Sequence, residues 1–464
     1  MNMMNLKPFF SGASTSPAKT WLEAYRQDCD MQVEEIPWNA SKEWSFDHHC
    51  LRHKTGGFFT IVGVRATVNG VEQVGLDQPL IDQPEIGILG FLIRKRGEDT
   101  EILLHAKAEP GNVGLVQVGP TVQATESNYK RRHEGKETPY LAYFLASKGS
   151  ILISDSLQSE QGTRFLGKYN RNMIVQVDDS FAFTDTEVHQ WFLLKDFLPM
   201  LLQDSQINTD ARSVLVSGRW SALTPNGKPF SRSVGNGDLG EALYHSYNIP
   251  IGESIFTEEE ILARLEKFRM AANFTIQLVD LDKLKNWVLT SDRIKAIEGN
   301  AFEVRQYRVK SSEREVTEWD QPLVASAEEG SVVLLAQEKN GVLYFLFNCR
   351  AEIGFREGCQ WGPTIQDLAQ DPFIFPDLEE NENELKKYMH QSKQLLSQRH
   401  SDEGGRFYLC VSTYSLYLLD RDVEVALTDN LVWMNMRQVE FFASHKAFFT
   451  NEARSLTSML LAYL

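Results

Sequence analysis

No stretch of the sequence approaches the roughly 18 uninterrupted apolar residues that a membrane-spanning helix needs, so no membrane span is expected. Residues Met1 to Phe10 lack a basic region followed by an apolar run, so no secretion signal is expected either. Cysteine is scarce: Cys29, Cys50, Cys349, Cys359 and Cys410 are an odd set with no CxxC pair. That pattern predicts a soluble protein of a reducing cytoplasm, with neither a disulfide framework nor a zinc site. Basic residues are in deficit, 47 Lys and Arg against 63 Asp and Glu, which gives a formal net charge of -16. A nucleic-acid partner is therefore excluded, because it would need a broad basic surface. A small anionic ligand is not, since a few local Arg and Lys side chains can hold a diphosphate inside an acidic protein. The P-loop, the GxSxG elbow and the HExxH helix are missing, and no GxGxxG lies between a strand pattern and a helix pattern. Any chemistry must run on side chains.

What the chain does contain is one module written twice. Its 464 residues are too many for one hydrophobic core. DQPLIDQPEIGILGF from Asp77 aligns without a gap on DQPLVASAEEGSVVL from Asp320, a shift of 243. At that shift Ala108-Glu109 meets Ala351-Glu352, Gly119-Pro120-Thr121 meets Gly362-Pro363-Thr364, and Gln123 meets Gln366. One deleted residue then changes the shift to 242, and Ser159, Gly162, Arg164 and Phe165 meet Ser401, Gly404, Arg406 and Phe407. Ala211-Arg212-Ser213 meets Ala453-Arg454-Ser455 in the same register. The predicted organisation is a tail at 1–15, a first repeat at 16–240, a connector at 241–256 and a second repeat at 257–464.

Each module opens with a helix signal. Ser16 before Pro17 is an N-cap with proline at the first helical position, and Thr257 with Glu260 is a capping box. Strand patterns follow, among them Ile86 to Arg94, Glu101 to Lys107, Met173 to Val177, Ser331 to Gln337 and Gly341 to Cys349. A second helix is expected at Phe192 to Leu202, with its counterpart at Met434 to Ser444. The predicted class is α+β: helix, curved mixed sheet, helix.

Four segments carry polar residues that a bare scaffold does not need. In AKAEPGN, Lys107 and Glu109 are two apart on a strand and share a face, as an acid/base pair or as a plain ion pair. GPTVQATESNYKRRHEG offers Thr121, Gln123, Thr125, Asn128 and Tyr129, either wrapping a ligand or facing solvent. SEQGTRFLGKYNRNM sets Arg164 and Lys168 around two glycines, which suits a phosphate or a basic turn. His48, His49 and His53 lack partners at a familiar metal spacing and read as a helix surface or a strand lead-in. Trp44 and Trp287 are candidates for stacking on a nucleobase or for the core.

In this order the segments resemble one family, the NDP-hexose 2,3-dehydratases of deoxysugar biosynthesis. The resemblance rests on HKTGGFFTIVGV, DQPLIDQPEIGILG, AKAEPGN, GPTVQATESNY and SLQSEQGTRFLGKYNRNM, with EWDQPL and SDEGGRFY in the second half. It implies two Nudix-like copies in one subunit, and a homodimer. Neither half has a Nudix box, so a Nudix-type pyrophosphatase is disfavoured. The implied reaction removes water across C2 and C3 of an NDP-4-keto-6-deoxyhexose, and a separate 3-ketoreductase takes up the 3,4-diketo product. It calls for a base, an acid and enolate-stabilising donors, with no redox cofactor and no obligatory metal.

Carried onto this chain, the resemblance implies that Lys107, Glu109, Thr121, Gln123 and Tyr129 meet the sugar, with Thr125 and Asn128 beside them. Glu109 or Tyr129 would move the proton, and Lys107 would stabilise the enolate. Ser159, Arg164 and Lys168 would face the diphosphate, with Trp44 near the base. The second copy keeps Glu352, Thr364, Gln366 and Arg406 beside Trp287, but has Arg350 in place of Lys107. Its expected role is nucleotide binding without catalysis. The competing class is a sugar-nucleotide binding protein in which neither copy turns over.

Overall fold

The computed structural model describes residues 16–464 except 48, 69–70, 126–137, 146–149, 179–180, 184–186, 225–226, 232–236, 251, 272–273, 300–301, 313–315, 327 and 369–375. Both opening helices form where their caps predict. Pro17–Asp28 starts at Ser16, whose hydroxyl accepts the Lys19 N–H at 3.2 Å. Glu258–Ala271 starts at a reciprocal box, Glu260 N–H to Thr257 at 3.2 Å and Thr257 N–H to Glu260 at 2.8 Å. Each helix sends one arginine onto carbonyls of its own repeat. Arg26 donates to Val116 at 2.8 Å and Ser205 at 2.9 Å, and Arg269 donates to Cys359 at 3.0 Å and to Ala447. The partners differ by the same shifts as the sequence repeat.

In the first repeat, Gly87–Arg96 and Asp99–Ala108 form the antiparallel centre of a seven-stranded sheet. Tyr169–Val177 adds in parallel to the first of these, and Ser150–Ser159 closes that edge. The second repeat rebuilds this sheet around Gly330–Lys339 and Val342–Ala351, with Val411–Leu419 in parallel and Ser392–Ser401 at the edge. Mixed sheets with helices against them fit the α+β expectation. Phe192 and Leu193 depart from the expected helix: they end the strand His189–Leu193, and helix begins only at Leu194. Met434 likewise ends a strand, before the Asn435-capped helix Met436–Ala443. The helix Gly237–Tyr247 straddles the expected edge of the connector. No helix among the described residues is long and apolar enough to cross a membrane.

The two smaller sheets exchange strands. Phe274–Val279 of the second repeat pairs with Thr60–Val68 of the first, and Gln32–Ile36 of the first pairs with Glu303–Lys310 of the second. The indole N–H of Trp44 donates to the Asp320 carbonyl at 2.7 Å, and that of Trp287 to Asp77 at 2.8 Å. Both rings lie in one apolar cluster with Phe165 and Phe407. At the centre, Thr209–Val216 packs on Asn451–Leu460, two helices absent from the sequence reading. Arg212 and Arg454 are buried between them. Arg212 donates across to the Ser401 carbonyl at 3.0 Å, and Arg454 to the Ser159 carbonyl.

Two exchanged strands and two crossed arginines leave neither repeat with a complete set of backbone partners. Residues 16–240 and 241–464, expressed separately, are expected to show no cooperative unfolding. Co-expression should restore one cooperative urea transition; a sharp transition from either half alone would contradict this.

Candidate active site

A cleft of about 180 Å³ opens where the two repeats meet. Lys107 and Glu109 stand at the end of the strand Asp99–Ala108, on one face as their spacing predicts, and form an ion pair. Gln123 donates to Glu109 at 3.3 Å, and Asn208 donates to Gln123 at 3.3 Å. Thr125, Glu160, Lys168, Asn170 and Asp210 also belong to the first-repeat wall. The remaining wall comes from the second repeat: Glu403, Gly405 and Arg406.

A glycine lets that second-repeat segment reach the cleft. Gly111 N–H donates to Gly404 at 2.9 Å, and Leu409 N–H returns to Gly111 at 2.9 Å. A Cβ on Gly111 would lie 1.6 Å from the Phe407 carbonyl oxygen, so only glycine allows this approach. The contact is mirrored at Gly354, where a Cβ would lie 1.8 Å from the Phe165 carbonyl. The Arg406 guanidinium lies 4.3 Å from the Phe59 ring centroid and donates to Gln83 at 3.1 Å.

Charge is crowded here. Glu109, Glu160, Asp210 and Glu403 share the cleft with Lys107, Lys168 and Arg406. Burial lifts the Asp210 carboxyl well above the usual carboxylate range, and the neighbouring Glu403, Glu160 and Glu109 push the same way. Burial raises Glu403 to about 7 against the pull of Arg406, with Glu109 and Glu160 adding to the rise. Burial lowers Lys168 to about 8, with Arg406 assisting and Glu160 opposing. The Lys168 ammonium donates to the Glu85 carbonyl. Glu160 accepts from Asn170 at 2.6 Å and from Asn451 at 3.2 Å. Glu109 Oε2 is buried with no hydrogen-bond partner among the described residues, an acceptor left over at the cleft. The set therefore combines three cations with buried carboxyl groups whose hold on a proton is strengthened.

Of the residues singled out in the sequence, Lys107, Glu109, Gln123, Thr125 and Lys168 meet in this cleft. Asn128 and Tyr129 lie outside the described residues. Thr121 is buried between strands, accepting the Leu92 N–H at 3.0 Å and donating to Leu103. Ser159, expected at the diphosphate, is buried and donates to Gln360 of the second repeat at 2.8 Å. Trp44, 6% exposed, packs its ring on Phe59, which leaves no open face for a base. His49 bonds Asp280, and His53 stacks edge-on against Trp44.

The two arginines trade places. Arg406, expected in a second-repeat pocket, lines the first-repeat cleft; Arg164, expected at the first, lines the second-repeat pocket, 4.1 Å from the Phe302 centroid. That pocket is only about 20 Å³. Near it Gln366 donates to Glu352 at 3.2 Å, while Thr364 repeats the interstrand role of Thr121 and Trp287 that of Trp44. Sequence reasoning missed Glu160, Asp210 and Glu403. A signal existed: Asp210 meets Glu452 beside the matched Ala-Arg-Ser, and Glu160 meets Asp402 beside the matched serine, so the acids recur in both copies.

The family model described as NDP-hexose 2,3-dehydratase matches this chain twice, over residues 15–217 and 258–460. Three relatives named dTDP-4-dehydro-6-deoxy-alpha-D-glucopyranose 2,3-dehydratase are similar along most of their length. The protein of Saccharopolyspora spinosa is 31% identical, covering 96% of this chain and 91% of its own. That of Amycolatopsis orientalis is 30% identical, covering 97% and 90%, and that of Streptomyces violaceoruber 33%, covering 84% and 83%.

A carboxyl group raised on folding favours the folded state while it stays protonated. Its contribution is complete below the usual 4.5 and is lost as pH climbs through about 7. Glu403→Gln imitates the neutral acid, so its stability relative to wild type should rise between pH about 5 and about 8. Urea midpoints at the two pH values test this; an unchanged difference would show that Glu403 titrates normally.

Proposed function

The chain belongs to the NDP-hexose 2,3-dehydratase family and is a sugar-nucleotide 2,3-dehydratase, a hydro-lyase, and from that premise we propose that the cleft at Lys107 and Glu109 is where water leaves the sugar. The observation that carries this reading is one cation–carboxylate pair, Lys107 and Glu109, sharing an enclosure with the buried carboxyl groups of Asp210 and Glu403, whose pKa burial raises. Glu109 takes the C3 proton of the 4-keto-6-deoxyhexose, which the C4 ketone makes acidic. The electron pair moves onto the C4 oxygen, and Lys107 stabilises the enolate. As the enolate collapses, the C2 hydroxyl leaves as water with a proton from neutral Glu403. The remaining enol takes a proton at C2, loses the one on its C3 hydroxyl and becomes the 3,4-diketo-2,6-dideoxyhexose.

Lys168 and Arg406 are assigned to the diphosphate, with Gln123 and Thr125 on the sugar. Arg406 suits that role because its planar fork matches phosphate oxygens. Thymidine diphosphate is the proposed nucleotide, since the three relatives are named for dTDP sugars. The paired seven-stranded mixed sheets support a Nudix-like reading of each repeat. Ile151 and Leu152, 61% and 52% exposed on an edge strand, support a homodimer. All five cysteines are free thiols, in keeping with a cytoplasmic setting. The product carries a new C3 ketone, which suits it to a following 3-ketoreductase.

The test is incubation with dTDP-4-keto-6-deoxyglucose in deuterated water, read by mass spectrometry and by trapping with a 3-ketoreductase. Loss of one water is expected, with Lys107→Met and Glu109→Gln each lowering kcat by roughly 100-fold or more. Wild-type activity should fall as pH rises through about 7, where Glu403 loses its proton, and Glu403→Gln should lack that limb. Undiminished turnover in Lys107→Met and Glu109→Gln would place the chemistry elsewhere.

A further inference from the structure

The second pocket is filled by the chain itself. Glu382, on the helix Pro376–Met389, is 3% exposed and accepts from Arg350 Nη1 at 2.6 Å. Its other oxygen accepts the backbone N–H of Gln366 at 3.1 Å. Arg350 and Gln366 are the counterparts of Lys107 and Gln123 at the shift of 243. The strand register is also kept: Val332 lies opposite Gln366 as Leu89 lies opposite Gln123. In antiparallel pairing alternate N–H groups point out of the ladder. Gln366 N–H is such a group, since it serves Glu382, and the equal register turns Gln123 N–H out beside Lys107. In the first repeat Leu89, Gln123 and Lys107 all line the cleft.

We infer that Glu382 is an internal ligand, occupying in the second repeat the oxygen-binding subsite that the first repeat leaves to the substrate. This rests on the dehydratase reading and deepens it. The C4 oxygen of the sugar sits between the Lys107 ammonium and the Gln123 backbone N–H, two donors aimed at the atom where negative charge develops. The space left in the second pocket is about 20 Å³ against about 180 Å³ in the cleft. The substitutions agree: Leu368 stands where the cleft has Thr125, and Cys410 where it has Lys168.

A small carboxylate tests both halves of the inference. In the full chain, Glu382→Ala should unfold about 3 °C or more below wild type. Sodium acetate, compared with sodium chloride at equal ionic strength, should recover much of that loss, and Glu382→Ala with Arg350→Met should not respond. Glu382→Gln keeps an acceptor for Gln366 and serves if the alanine variant fails to fold; it should respond less to acetate. In wild type, acetate should raise KM for the sugar nucleotide without lowering kcat, while Glu382→Ala keeps wild-type kcat. Equal effects of acetate and chloride on the variant, or a KM unmoved at acetate concentrations that rescue it, would overturn the inference. If no sugar nucleotide is turned over, the functional reading fails instead, and the unfolding comparison still reports on Glu382.

Discussion

Two guanidinium groups buried in the contact between the helices Thr209–Val216 and Asn451–Leu460 hold the molecule together. Arg212 is bonded to the carbonyl of Ser401 and Arg454 to that of Ser159, and each belongs to one repeat while its partner belongs to the other. A buried arginine with satisfied donors tolerates little displacement, because any lost bond leaves a charge in a poorly polarisable medium. Ser401 and Ser159 directly precede the segments that cross between repeats. The crossing then brings Phe407 against Gly111 and Phe165 against Gly354. The position of Glu403 and Arg406 in the cleft follows from an arginine at the centre of the molecule.

From this symmetric frame two unlike pockets arise by a few substitutions. The first keeps short or polar groups at its mouth, Thr125 and Gly405, and a lysine at 168. The second has Leu368 and Cys410, and receives Glu382 onto Arg350. Buried acids persist in both. Asp210 and its counterpart Glu452 are each pushed up by burial, Glu452 to about 8. An acid in the first turn of the axial helix is thus part of the common frame, and its surroundings decide whether it meets a ligand.

Much of this was legible in the sequence. The duplication, both opening helices, the sheet strands and the Lys107–Glu109 face all follow from local pattern, because capping and alternation act over a few residues. The trade of Arg164 and Arg406 was not legible. Alignment of two repeats says which residues correspond, but not into which repeat's cavity a loop is threaded. The same limit applies to Ser159 and Trp44, whose polar atoms look free in one copy and are satisfied by Gln360 and Asp320 of the other. The axial helices escaped notice because they are buried all round and so carry polar residues such as Arg212, Ser213 and Ser217 without an exposed stripe.

The crossed loops also bear on how such a protein can evolve. After most duplications the idle copy drifts freely or is lost, since the working copy is self-sufficient. Here the half with the closed pocket encodes part of the open one, through Glu403 and Arg406. With catalysis assigned to the cleft, as proposed, selection on it reaches into the second half at Glu403 and Arg406, while the wall of the smaller pocket is under no such constraint. Divergence should be mosaic within each half, sorted by which cavity a residue faces and not by which copy encodes it.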